Sequence, residues 1–566
     1  MIVYRGQTHD ESAIELLADI CARFRLIEDT ARPTLESVQR LLIDFGVFES
    51  AVADALMKDV MTTSHEIRTM RSVAVALGRV FHRVVRGKHP GKYVDSVRRD
   101  LLELTSCPLP ATVCVSVPEG YAYYGLFPEM YIEPAETLLR QRSLSRAVVI
   151  GIRSIGASLS AVVAGTLEEL GCRVKSYTVR PSGHPFNRLL NMTRALQAEW
   201  RDERAIVFAI VDEGPGISGS SFASVADALT ECGVPAHNVV FLPSWDADPG
   251  QFANGAAAQR WRKHARYVGG FHQPWLNGLR EVSAGKWRGP VYDGDADSYP
   301  AVQPQHEARK YLADSRVLLK FAGLGGYGDW KLGMARQLAE HGFGPEVLGI
   351  ANGFLAHGFV GGTPLRVHDS CPELLGRIAE YCAFRAQTFP AQRSTDFATL
   401  CQMIDTNMSE GGPSEVSRDF FKHVETLFDG RAATAVDGRM MPHEWLRTAR
   451  GFLKTDSVDH HANHFYPGCA DIAWDLAAVC VEFRLSDSQR SFFLERYSKA
   501  SGDLVPNEII GFYRLAYAAF RLGYTTLAAH ATSETPDGDR FISLQTLYRR
   551  AAAAQFARQE TLVSTC

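Results

Sequence analysis

Residues 211 to 222, "VDEGPGISGSSF", place two carboxylates, Asp212 and Glu213, directly ahead of a turn rich in glycine and serine. The stretch follows the apolar run 205–210 and leads into the helical 223–229. Carboxylates at the end of a strand can accept from vicinal hydroxyls or hold a hydrated Mg²⁺. In the turn, Gly216, Ile217, Ser218, Gly219, Ser220 and Ser221 combine close backbone approach, hydroxyl donors and a helix start with unpaired N–H groups. That describes a cradle for a monophosphate, and with the acidic pair it describes ribose 5-phosphate. Taken alone, the turn also reads as an ordinary capped loop. Upstream, "VVIGIRSIGASLSAVVAGTL" puts a second glycine loop between a strand and a helix. There Gly151, Ser154 and Gly156 can present amides to a diphosphate, and Arg153 can supply charge.

The elements that must position these loops follow from pattern. At 566 residues the chain exceeds one hydrophobic core. The first hundred residues read as helices: Asp10 caps one through Phe24, Thr34 caps one through Phe45 that Gly46 ends, and a third runs over about 62–85. "ATVCVSV", "RAVVIGI", "CRVKSYTV", "RAIVFAIV" and "NVVFLPS" are five strands separated by amphipathic runs, the pattern of a mostly parallel sheet. "QRWRKHAR" reads as a solvated helix face. The Gly-, Pro- and Asp-rich stretch 288–305 reads as a linker. The expected organisation is multidomain: a helical region over 1–110, an α/β domain over 111–290, a linker over 291–304 and a third domain over 305–566.

The α/β stretch, about 110–290, resembles the type I phosphoribosyltransferases. The resemblance implies that Asp212 and Glu213 take the ribose hydroxyls of phosphoribosyl pyrophosphate and that residues 216–221 take its 5-phosphate. It implies that Arg153, Ser154, Gly156 and Arg180 meet the pyrophosphate, with Mg²⁺ as cofactor. Arg180, His184 and Arg188 fall where that family keeps a basic loop; the alternative is solvated loop charge. Trp245 and Asp246 fall where it reads the acceptor, and Tyr121, Tyr123 and Tyr124 are aromatic enough to wall a planar acceptor or to pack the helices. The chain has one residue more than the family between the acidic pair and the cradle glycine, and Gly216 stands where the family has a carboxylate or threonine.

Beyond the linker, "VLLKFAGLGGYG" sets Lys320 on an apolar strand, and "GFGPEVLGIANGFLAHGFVGGTPL" reads as two strands and a hinge. With "DGRMMPHEWLRTARGFLKTD" and "GCADIAWDLA", residues 305–560 resemble the aminoglycoside phosphotransferase and choline kinase class, a two-lobed α+β fold. That resemblance implies that Lys320 pairs with the phosphates of ATP, that Glu444 and Asp456 hold metal, and that Asp471 and Asp475 brace the catalytic loop. Arg439 falls at the place of the catalytic base, which leaves Asp437 or Asp459 to replace it, because arginine keeps its proton. His460, His461 and His464 cluster nearby without a zinc spacing.

A formal charge of −4 with 46% hydrophobic and 22% charged residues gives no general pull toward nucleic acid or membrane. The 11 scattered cysteines suit a reducing compartment. With no membrane span or signal peptide, a cytoplasmic protein is expected, its oligomeric state open. The sequence thus describes a Mg²⁺-dependent phosphoribosyltransferase, acting on phosphoribosyl pyrophosphate and a small-molecule acceptor, fused to an ATP-binding kinase-like domain. The alternative is a sensor of those ligands with a pseudokinase half.

Overall fold

The computed structural model describes residues 1–30, 32–216, 218–411 and 424–563. Contacts divide the chain into two units: Gln7–Asn277 with Gly323–Gly328, and Met1–Gly6 with Gly278–Ala322 and Asp329–Cys566. No helix among the described residues is long and apolar enough to cross a membrane.

The first unit opens with β1 (Thr8–Ser12) and helices α1 (Ala13–Glu28), α2 (Leu35–Met57), α3 (His65–Val85) and α4 (Lys92–Leu104). After β2 (Thr112–Ser116) and α5 (Ile132–Arg142) come β3 (Arg146–Ile152), α6 (Gly156–Glu169) and β4 (Arg173–Val179). A hairpin of β5 (Ser182–His184) and β6 (Asn187–Leu189), α7 (Arg194–Asp202), β7 (Val207–Val211), α8 (Ser220–Glu231), β8 (Val239–Leu242), α9 (Gly255–Lys263) and β9 (Ala265–Arg266) complete it. The sheet runs β4-β3-β7-β8-β9, parallel throughout. Its central strand β7 is buried at every residue, as a strand covered on both faces must be.

Four sequence expectations change here. "ATVCVSV" does not join the parallel sheet: β2 pairs antiparallel with β1. The fifth strand comes instead from "QRWRKHAR", whose end forms β9 while Trp261 of the same stretch is buried. Asp10 lies inside β1, and Ser12 caps α1 by accepting from the Glu15 N–H. Gly46 does not end α2: a Cβ there would sit 2.7 Å from that of Ser158, so this glycine serves close packing on α6. The same logic recurs where α3 crosses α6, since a Cβ on Gly165 would lie 2.4 Å from the Gly78 carbonyl carbon. The helices of the first hundred residues are therefore packed on the sheet's own helix.

The second unit holds an antiparallel sheet of β10 (Arg280–Glu281), β11 (Lys310–Ala313), β12 (Val317–Phe321), β13 (Val347–Ala351) and β14 (Phe354–Gly358), ordered β10-β11-β12-β14-β13. β15 (Thr363–Pro364), β16 (Trp445–Thr448) and β17 (Gly451–Lys454) form a small second sheet. The helices Pro372–Thr388, Ala473–Glu482 and Asn507–Ala531 surround a core that includes Tyr381, Trp445, Trp474 and Tyr513. The stretch 288–305 packs within this unit, where Arg288 donates to both carboxylate oxygens of Asp537, at 2.7 and 3.0 Å. The first six residues join it too: the Ile2 N–H donates to Asn407 Oδ1 at 2.6 Å.

Candidate functional site

In the first unit both glycine loops lie at the carboxyl edge of the sheet, because α6 follows β3 and α8 follows β7. This edge is where open parallel sheets bind ligands. Asp212 and Glu213 follow β7 directly. Tyr131 donates its hydroxyl to the Asp212 carbonyl at 2.7 Å, and Ser244 its hydroxyl to the Glu213 carbonyl at 2.6 Å. These bonds hold the backbone at the end of β7. Two glycines make room for the carboxyl groups: a Cβ on Gly120 would meet the Glu213 carboxyl at 2.7 Å, and one on Gly156 would meet Asp212 Oδ1 at 3.2 Å. Neither acid forms an ion pair among the described residues. Burial pushes Asp212 up to about 7, against weaker pulls from Arg180 and Arg188. Burial, with the charges of Asp212 and Glu119, pushes Glu213 up to about 8.

The cradle residues are placed around the start of α8. Gly216 and Gly219 have φ of 63° and 64°, left-handed values that glycine adopts without strain. Ser218 and Ser220 both donate to the Pro185 carbonyl, at 2.9 and 2.7 Å, so the β5–β6 hairpin holds their hydroxyls. Ser221 opens the helix beside Ser220, and Ile217 lies outside the described residues.

The first loop differs from expectation in what its side chains do. Arg153 is buried and donates from Nε to Asp54 Oδ1 at 2.7 Å and from Nη1 to the Thr178 carbonyl at 3.3 Å. Its charge is thus met by α2. Arg180 shares the same aspartate, Nε to Oδ2 at 3.1 Å, but stays about one third exposed. Ser154 has φ of 104°, and its N–H faces Ser50 Oγ at 3.4 Å. A φ this far positive is strained for a non-glycine residue, so the surrounding contacts must hold it.

Of the acceptor candidates, Trp245 is exposed, Asp246 accepts from Arg266 Nε at 2.6 Å, and Tyr123 donates to Gln7 Oε1. Tyr121 is buried against Ser158, its hydroxyl 2.8 Å from Oγ. His184 and Arg188 lie on the hairpin, one on each strand.

In the second unit residues distant in sequence meet. Lys320 on β12 donates to Asp456 at 2.7 Å and Asp459 at 3.1 Å. Lys331, on the helix Gly326–Glu340, lies 4.0 Å from Asp459, and burial lowers it to about 8. Arg439 donates from Nε to Glu444 at 2.7 Å and lies 3.6 Å from Asp456. Lys454, wholly buried on β17, donates to Glu444 at 2.8 Å and lies 3.3 Å from Asp437. Asp475 accepts from the N–H groups of Asp437 and Gly438 at 2.7 and 2.8 Å, fixing the loop. Asp471 accepts from Arg431 at 2.6 Å.

Charge pairing sets the protonation. Burial raises Asp437, yet Lys454 and His460 outweigh it and hold the acid well below the usual carboxylate range. Burial likewise opposes ionisation of Asp459, but Lys320 and Lys331 bring it down to about 2. His460 resists burial and the Arg439 charge and rises to about 9, because Asp456 and Asp437 flank it. His461 and His464 go the other way, pushed by burial to about 3 and about 4.

Glu444, Asp456 and His460 bring ligand atoms within 4.8 Å of one another. The two carboxylates fit an oxygen-seeking ion such as Mg²⁺, whereas a protonated imidazole has no lone pair to offer. They flank a cavity of about 350 Å³ that Lys320, His357, 359–362 and Arg439 help to line. Sequence reasoning missed Lys331 and Lys454. Lys454 had a signal, since it stands two residues before Asp456.

No family model and no curated protein matches the chain. Among solved structures, the choline kinase LicA from Streptococcus pneumoniae is 14% identical, with a TM-score of 0.33, over 44% of this chain and 90% of that one. An ethanolamine kinase from Plasmodium vivax is 12% identical, with a TM-score of 0.33, over 60% and 95%. A choline/ethanolamine kinase family protein from Mesorhizobium loti is 17% identical, with a TM-score of 0.31, over 48% and 91%. At these values none of the three decides the activity of this chain.

Proposed function

We propose that the second unit binds a Mg²⁺-nucleotide and that the first binds phosphoribosyl pyrophosphate and transfers its phosphoribosyl group to a small acceptor. The observation that carries the nucleotide reading is Lys320, shared by Asp456 and Asp459 beside the 350 Å³ cavity. A strand lysine with acids that can hold a cation matches the charges of a triphosphate and its Mg²⁺. Glu444 and Asp456 would hold the ion, which neutralises phosphate charge when bound. The ligand's phosphates would then compete with Asp456 and Asp459 for Lys320 and Lys331.

Among the described residues the two acids that could abstract a proton, Asp437 and Asp459, are both engaged, Asp459 by Lys320 at 3.1 Å. Arg439 cannot accept a proton, and Asp437 is already bonded by Tyr381 and faced by Lys454 and His460. This favours nucleotide binding without efficient phosphoryl transfer, the pseudokinase form of the second unit. Titration calorimetry with Mg²⁺-ATP tests it: binding is expected, weakened at least about tenfold by Lys320→Ala or Asp456→Asn. Absence of binding at saturating Mg²⁺ would sink the reading.

In the first unit the acidic pair carries the proposal. Asp212 and Glu213 would accept from the ribose hydroxyls while the cradle holds the 5-phosphate. An acceptor nucleophile attacks the anomeric carbon, the bond to the pyrophosphate oxygen breaks, and its electron pair leaves with pyrophosphate. Positioning and charge would supply most of the rate. Phosphoribosyl pyrophosphate with Mg²⁺ is expected to stabilise the chain by about 2.7 kcal/mol at 100 times the dissociation constant. The change Asp212→Asn with Glu213→Gln should abolish that shift. Binding without pyrophosphate release across an acceptor panel would make this unit a sensor.

A further inference from the structure

Beyond Arg439 the second unit has a larger cavity, about 630 Å³, which shares Arg439, His443 and Trp287 with the smaller one. Its size suits a metabolite-sized ligand. Five arginines line it (Arg366, Arg439, Arg484, Arg521 and Arg540) against three acids, Asp297, Glu307 and Glu482. Glu307 is already held by Lys310 at 3.1 Å and Trp287 at 2.9 Å. Glu482 accepts from the hydroxyls of Tyr517 at 2.6 Å and Tyr548 at 2.8 Å. Arg540 is paired with Asp537 at 3.2 Å and Arg439 with Glu444 and Asp456, which leaves Arg366, Arg484 and Arg521 as the cations that face Asp297 across the cavity.

Two of the arginines have donors to spare. Arg521 is only 5% exposed and lies against the rings of Tyr524 and Tyr548, 5.2 and 5.1 Å from their centroids. Its Nε makes no hydrogen bond among the described residues, and its nearest carboxylate oxygen, on Glu482, is 3.7 Å away. Arg439 turns its Nε and Nη2 toward Glu444 and Asp456, which leaves the Nη1 edge over. The two guanidiniums repel each other, and His443 in the same cavity wall is kept neutral by burial. An unpartnered buried donor is costly, and planar forks of this kind match phosphate oxygens.

We propose that this cavity binds a small phosphomonoester, its phosphate held by Arg439 and Arg521. The assignment rests on the nucleotide reading only in that the two cavities adjoin at Arg439. A cationic amine would meet the same surplus charge as repulsion, so the cavity selects against it. If the first unit transfers phosphoribose, its product carries such a phosphate.

The test uses the full chain carrying Asp212→Asn and Glu213→Gln, so that the first unit does not contribute. Ribose 5-phosphate, ribose and gluconate are titrated calorimetrically without nucleotide. Ribose 5-phosphate is expected to bind at least about tenfold more tightly than either of the others, the difference made by one charge-assisted contact. Arg521→Gln should weaken it by a similar factor. Because that change touches the Glu482 cluster, Arg484→Ala at the exposed rim provides a second reading, with an expected loss of about two- to fivefold. Equal binding of the three compounds, no binding of ribose 5-phosphate, or indifference to both substitutions would overturn the assignment. Lys320→Ala separates the two readings: it should weaken Mg²⁺-ATP and spare ribose 5-phosphate. Failure of ATP to bind while ribose 5-phosphate binding depends on Arg521 would overturn only the nucleotide reading.

Discussion

The acidic pair after β7 and the four acids around Lys320 and Lys454 live under opposite electrostatic conditions. Among the described residues Asp212 and Glu213 have no contacting cation, and they are pushed to about 7 and 8. Asp437, Glu444, Asp456 and Asp459 each contact at least one of Lys320, Arg439, Lys454 and His460, and all four are held low. Burial acts the same way in both places; what differs is whether the fold supplies the countercharge. A site that lacks it can take it from a ligand's cation. A site that has it must exchange partners when a ligand arrives.

The largest effect should come from breaking the matched site. Lys454→Met would leave Asp437 and Glu444 buried beside one another without their shared ammonium. The expected loss is about 3–5 kcal/mol in urea unfolding, the usual consequence of removing one partner of a buried pair. A loss below about 1 kcal/mol would mean that water reaches these acids and that burial does not govern them.

A smaller effect of opposite character is expected at the unmatched pair. From its ordinary value of 4.5 up to about 8, Glu213 keeps a proton that the unfolded chain has already released. Asp212 does the same from 3.8 to about 7. The unfolded state therefore binds fewer protons, and stability falls as pH rises through this window. Urea titrations from pH 5 to 8 should show a steeper fall for the wild type than for Asp212→Asn with Glu213→Gln. Adding Mg²⁺ with phosphoribosyl pyrophosphate should flatten the wild-type curve, because the cation favours the ionised pair. Parallel curves for the two proteins would show that the pair is already ionised.

What the sequence made legible follows the same division. In the first unit the chemistry is local: β7, the acidic pair and α8 are consecutive, and glycine spacing places them without knowledge of the rest. The partners of Arg153 were not legible, because Asp54 is 99 positions away on α2. Nor was the role of Gly46, which looks like a helix stop until Ser158 is set against it. In the second unit Lys320 and Asp456 stand 136 positions apart, so only a resemblance could join them. Lys331 belongs to no quoted pattern, and Lys454, though it stands inside the quoted run that ends at Asp456, has no spacing that pairs it with Asp437; the fold brings both lysines to the acids.

The smallest effect is expected at the surface, where burial plays little part. Asp246 and Arg266 are paired at 2.6 Å, but their side chains are 56% and 27% exposed. Water already solvates both, so the pair should contribute only about 0–1 kcal/mol, and less as salt is added. Arg266 would also keep its place in Asp246→Ala: its Nη1 donates to the Trp261 carbonyl at 2.8 Å, and its guanidinium lies 5.6 Å from the Trp261 ring centroid. Unfolding of Asp246→Ala should therefore match the wild type in 0.5 M salt. If Asp246 reads the acceptor, the loss appears elsewhere, as a raised KM for the acceptor with binding of phosphoribosyl pyrophosphate unchanged. A fall in stability comparable to that of Lys454→Met would break the rule that burial, and not pairing alone, sets the size of these effects.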